Sequence, residues 1–139
     1  MVEIAEGLPN LEILPRVFAK YPDIQAVYLF GSRAAGTARA TSDLDLAIVP
    51  RHHQVRQRRL DILADLARHG FCDVDLVFLD TDDITLRYEA VRQNRLVYQT
   101  TDFDRGALYS IIVRQYFDFL PYLDVQREAY KRRILDGQS

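Results

Sequence analysis

The stretch Ile24–Pro50, IQAVYLFGSRAAGTARATSDLDLAIVP, decides how the rest of the chain is read. It opens as an apolar and aromatic run, turns at Gly31-Ser32, crosses a polar connection of small residues and returns to an apolar run at 44–49. That pattern predicts strand, tight turn, connection, strand. Asp43 and Asp45 lie two residues apart, so on a strand they share one face, while Leu44, Leu46 and Ile48 take the other. Both carboxylates then face the space beside the Gly31-Ser32 turn. Glycine lets the backbone approach a phosphate closely, and a serine hydroxyl with turn amides binds phosphate oxygens. Two adjacent carboxylates repel each other unless cations lie between them. Mg²⁺ held by one or two carboxylates plus substrate phosphates is the common solution. Together these features imply metal-assisted chemistry on a nucleoside triphosphate.

Outward from this stretch the chain alternates helix and strand patterns. Residues 10–21 carry Leu11, Leu14, Val17, Phe18 and Tyr21 at helical spacing, and Pro15 either begins the better part of that helix or kinks a longer one. Pro22-Asp23 turns the chain into the strand 24–30. After Ser32, Arg33 to Gly36 forms a short turn in which small residues let the chain fold over a triphosphate. Arg33 and Arg39 are candidate phosphate contacts, with solvated loop positions as the competing reading. Ser42 caps the turn or holds Asp43 in place. The run RHHQVRQRR at 51–59 is the most basic, and reads as a solvated face or as a surface for an acidic partner or nucleic acid. His52 and His53 have no metal-ligand company at a recognisable spacing. Leu60, Leu63, Ala64 and Ala67 mark an amphipathic helix ending at Gly70. Residues 73–79 form a third strand, 81–95 a helix capped by Thr81 or Asp82, and 96–99 a short fourth strand. The tail 102–135 is helical in pattern and rich in aromatics, and Pro121 is expected to break it in two. Its aromatic surface reads either as an interface or as a helix packed on the sheet.

Gly31-Ser32, ten residues, then Asp43-Leu44-Asp45 resembles the signature of the polymerase-β nucleotidyltransferase superfamily. The wording GSRAAG…SDLDLAIV in so short a chain is similar to its minimal nucleotidyltransferase (MNT) branch. Many members of that branch are antitoxins of the MntA type, paired with a HEPN-domain ribonuclease toxin. The resemblance implies a third carboxylate on a neighbouring strand, and Val74-Asp75-Leu76-Val77 matches that position. Asp75 is therefore the expected third acid, sharing one metal and helping to deprotonate the attacking hydroxyl, with Asp73 as the alternative. The resemblance further implies two Mg²⁺ ions, held by Asp43, Asp45 and Asp75. ATP is the implied substrate, with Gly31 and Ser32 anchoring its β- and γ-phosphates. The implied acceptor is a tyrosine of a cognate HEPN toxin, blocked by attachment of AMP.

The 139 residues suit one α/β domain: a small mixed sheet with helices packed mainly on one face (core 24–100) and a C-terminal helical tail. The net charge of −2 argues against a dedicated nucleic-acid binder. No apolar run is long enough to span a bilayer, and the single cysteine, Cys72, suits a reducing cytoplasm. Three other functions share the motif, of which a nucleic-acid polymerase is the weakest, since the chain lacks a separate template- or primer-binding domain. A small-molecule nucleotidyltransferase of the aminoglycoside-modifying kind would use the same acids, though such enzymes usually add a helical domain. A non-catalytic antitoxin that covers its toxin would need none of them.

Overall fold

Ile24–Phe30 is strand β1 and Leu44–Pro50 is strand β2; the computed structural model describes residues 10–31 and 44–136. The two strands run antiparallel, with Phe30 opposite Asp45 and Ile24 opposite Pro50. Strand β3 (Val74–Phe78) lies parallel to β2, and strand β4 (Arg95–Gln99) lies antiparallel to β1. The order across the sheet is β3-β2-β1-β4. Two parallel neighbours need a crossover, because a tight hairpin can join only antiparallel strands. Helix α2 (Arg59–Arg68) supplies it, entered through a 3-10 turn at His53–Arg58. Gly70, at φ 95°, then turns the chain out of the helix in the left-handed region that glycine adopts freely.

Helices cover both faces of the sheet, where the sequence pattern pointed mainly to one. The reason lies in β1. Ala26, Val27, Tyr28 and Leu29 are all fully buried, so the strand is apolar on both parities and each face needs a cover. On one face α1 (Leu14–Phe18) and α2 pack Leu14, Val17, Phe18, Ile62 and Leu66 against Val27, Leu29, Leu46, Ile48 and Leu76. On the other, α3 (Ile84–Val91) and α4 (Arg105–Asp136) pack Ala90, Val91 and Ile112 against Ala26, Tyr28, Ala47 and Val49.

Three local expectations are resolved or corrected. Pro15 sits in the first turn of α1, where its missing N–H costs nothing, so it starts the helix rather than kinking one. Helix α3 is capped by Asp83, not by Thr81 or Asp82. Its carboxylate accepts from the Leu86 N–H at 3.0 Å, while the Thr81 hydroxyl accepts from the Asp83 N–H at 3.2 Å. Pro121 does not break the tail: α4 runs through it to Asp136. A proline removes one i→i−4 bond and crowds one carbonyl, about 3 kcal/mol, and the turns on either side remain hydrogen-bonded in register. No helix among the described residues is long and apolar enough to cross a membrane.

Candidate active site

Strand register gathers the site. Asp45 is opposite Phe30 on β1 and opposite Asp75 on β3, so one row across the sheet reads Phe30, Asp45, Asp75. By parity both acids lie on the face covered by α3 and α4, in line with Ala47 and Val49 on β2 and with Val77 on β3. Asp45 is half-buried and Asp75 exposed, so the row opens at the end of the sheet where β1 stops and β2 begins.

Gly31 closes this end of β1. Its φ is +74°, a conformation that costs any other L-residue about 1–2 kcal/mol. A Cβ placed on it would overlap the Asp45 carboxylate oxygen and come within 3.0 Å of its Cγ. Glycine is thus required twice, by the backbone angle and by the acid pressed against it. Ser32, Arg33, Arg39, Ser42 and Asp43 lie outside the described residues. Asp73, the alternative third acid, is exposed and precedes β3. Its backbone carbonyl accepts from the Leu44 N–H at 2.8 Å, while the register sets Asp75 beside Asp45.

Like charges directly opposite on neighbouring strands destabilise a sheet. A cation between Asp45 and Asp75 would relieve that repulsion, and a donor set made only of carboxylate oxygens suits a hard ion such as Mg²⁺. Among the described residues no group of three or more His, Cys, Asp or Glu is gathered; the expected third member, Asp43, is not one of those residues.

The basic run is engaged elsewhere. It follows Pro50, which pairs with Ile24 at the opposite end of the β1–β2 ladder from Asp45. Arg51 binds both carboxylate oxygens of Asp102 at 2.9 Å, and His52 meets Asp23 at 3.1 Å. Arg56 and His53 converge on Asp80, each at 2.6 Å. Burial pushes the Asp80 carboxyl up, but the hydrogen bonds from Arg56 and His53 outweigh it and hold it below the usual range. The Arg51 hydrogen bond, with help from Thr100, keeps Asp102 well below that range too. These pairs mark a salt-bridged face, in keeping with the solvated reading.

Two polar features near the acid row escaped the sequence. Tyr28, one row in from Asp45 on the same face, is fully buried and its hydroxyl has no hydrogen-bond partner among the described residues. Burial raises its pKa, and the charge of Arg105 pulls it partly back. Arg105, in the first turn of α4, donates to the Asn94 backbone carbonyl at 2.8 Å and to its side-chain oxygen at 3.0 Å. No local pattern could have flagged either. Tyr28 reads as an ordinary strand aromatic, and Arg105 reaches Asn94 only because β4 and α4 fold back on each other.

Comparison with known proteins fits this geometry. A family described as "Polymerase beta, Nucleotidyltransferase" matches residues 12–103. The protein adenylyltransferase MntA of Shewanella oneidensis is 32% identical over 83 residues, and the match spans 60% of this chain and 60% of that relative. A crystal structure of a toxin–antitoxin with AMP-PNP is similar at TM-score 0.70 and 25% identity, covering 91% of this chain and 98% of the other. In fold, the chain also resembles a structure of the tri-AMPylated Shewanella oneidensis HEPN toxin in complex with MNT antitoxin. There the TM-score is 0.64 at 22% identity, over 90% of this chain and 95% of the other.

Proposed function

The chain belongs to the polymerase-β nucleotidyltransferase family, and from that premise we propose that it is a protein adenylyltransferase of the MNT antitoxin kind. It takes ATP as substrate and transfers AMP to a tyrosine of a HEPN-type toxin in the cytoplasm. The observation that carries this reading is the row in which Asp45 faces Asp75 beside Gly31. The likeness to MntA and to the nucleotide-bound toxin–antitoxin structure supports it.

In this mechanism Asp43, Asp45 and Asp75 would hold two Mg²⁺ ions, which would supply charge neutralisation for the triphosphate. Gly31 and Ser32 anchor the β- and γ-phosphates, with Arg33 beside them and Ser42 steadying Asp43. Asp75, exposed at the open end of the row, takes the proton of the acceptor hydroxyl. The tyrosine oxygen bonds to the α-phosphorus, the bond from the α-phosphorus to the bridging oxygen breaks, and pyrophosphate leaves.

The partner reading rests on α4. Beyond Ile112 none of its described residues is buried. Tyr122, Val125, Tyr130 and Leu135 are each at least 60% exposed. Exposed apolar side chains in such number mark an interaction surface. The tail is therefore the surface offered to the toxin.

The test is incubation with α-labelled ATP, Mg²⁺ and the co-encoded neighbouring protein, followed by mass analysis of both chains. The expected result is one or more AMP units on a neighbour tyrosine, absent when Asp43→Asn and Asp45→Asn are combined. Tight binding without label would instead establish an antitoxin that acts by covering its toxin. Full transfer by the double variant would refute the metal assignment.

A further inference from the structure

Arg105, at the start of α4, meets no carboxylate among the described residues. Among the described residues, Arg51, Arg56, Arg58, Arg68, Arg92 and Arg127 each meet a carboxylate. Arg105 meets none. Its hydrogen bonds go through one terminal nitrogen, Nη2, to two neutral oxygens of Asn94. A guanidinium carries five N–H donors, and among the described residues only Nη2 of Arg105 is engaged, with the side chain held by Asn94.

Register locates that fixed charge. Arg95 pairs with Leu29, so Asn94 lies level with Phe30, and Phe30 is level with Asp45 and Asp75. Asn94 therefore extends the acid row onto the β4 side, two strand spacings or roughly 10 Å from Asp45. The guanidinium lies toward the acid-bearing face, because α4 packs there and the Tyr28 hydroxyl beneath senses its charge. That hydroxyl is an enclosed donor without an acceptor. The β4 flank of the row is thus rich in unused donors, with positive charge facing the negative charge of Asp45 and Asp75. An anion with many oxygens bound beside the row would meet the Arg105 guanidinium on this flank, while the carboxylates need a cation between them and it.

We infer that Arg105 contacts the triphosphate of the nucleotide substrate from the β4 side of the site, held in position by Asn94. The inference rests on the nucleotidyltransferase reading above. It adds a binding residue outside the Gly-Ser and carboxylate signature. A planar fork meets phosphate oxygens in two places at once, which a lysine cannot do.

The experiment is calorimetric titration of the purified full chain with ATP and with AMP in the presence of Mg²⁺. It compares wild type, Arg105→Gln and Arg105→Lys, each first checked for folding by circular dichroism. Arg105→Gln is expected to weaken ATP binding about ten- to hundredfold, the value of a charge-assisted contact, and to leave AMP binding unchanged. Arg105→Lys is expected to lose less, and again only for ATP. If the Gln variant fails to fold, the Lys variant decides by the same ATP-against-AMP comparison. An equal loss for both nucleotides would make Arg105 a staple between α4 and the start of β4, and would overturn the inference. Undiminished ATP binding in the variants would overturn it as well, leaving the nucleotidyltransferase reading intact. Failure of the folded wild type to bind ATP at all would overturn both.

Discussion

The two faces of β2 treat the same strand in opposite ways. Leu44, Leu46 and Ile48 point into a face sealed by α1 and α2, and each is buried. Asp45, Ala47 and Val49 point the other way. There the helices cover Ala47 and Val49 but leave the acid end of the row open, beside an exposed Asp75. One face stores stability; the other gives some of it up to hold like charges together. The second face carries two carboxylates side by side and a buried tyrosine hydroxyl with no partner among the described residues. A two-sided sheet can thus carry a strained site without a larger domain.

The largest expected effect breaks the sealed face. Leu46→Ala removes a fully buried side chain and should lower unfolding free energy by about 2–5 kcal/mol. Chemical denaturation of the isolated chain would measure it. Asp45→Asn, one residue away, keeps the side chain's shape and should cost less stability than Leu46→Ala, which opens a cavity. Its AMP transfer should fall at least about a hundredfold, as when one preorganised charge contact is lost. A destabilisation as large as that of Leu46→Ala would erase the contrast between the faces.

Gly31→Ala sharpens it at the turn. Forcing a Cβ onto a positive φ costs about 1–2 kcal/mol, and the new methyl must displace the Asp45 carboxylate. Both melting temperature and transfer rate should drop, unlike in Asp45→Asn. Tyr28→Phe then removes the enclosed hydroxyl, whose unmet hydrogen bond costs about 1–3 kcal/mol. Stability should hold or rise slightly in thermal melts, and a clear loss would mean the hydroxyl has a partner.

The smallest effect is in acid. The folded-state pKa of Asp80 is depressed from 3.8 by Arg56 and His53 against the pull of burial. The stability it contributes is therefore present above pH 3.8 and lost as pH falls below it. Melts between pH 6 and 2 should show a shallower decline in Asp80→Asn than in wild type.

Part of the site was legible because short-range geometry dictates it. Alternation set Asp45 on one parity and Leu44, Leu46 and Ile48 on the other, and β1 begins and ends where its apolar run does. The tail shows where such reading runs out. Pro121 is a helix breaker by local rules, yet α4 continues through it, since the loss of one hydrogen bond is offset by the turns before and after. The covering of both faces was equally hidden, because a strand apolar on both parities says that two covers are needed but not which helices supply them.

By itself the sequence determined where the strands of the first hairpin run, that Asp45 faces away from Leu44 and Leu46, and where glycine must stand. Those depend on backbone sterics and on a period of two, which act between near neighbours. Only the tertiary structure decided that Asp75 lies beside Asp45, thirty residues earlier, and that Arg105 is held by Asn94 at the edge of the same row. Those pairings follow from strand register and from the path of the crossover helix. Burial of apolar surface across the whole chain selects both, and no local pattern records the outcome.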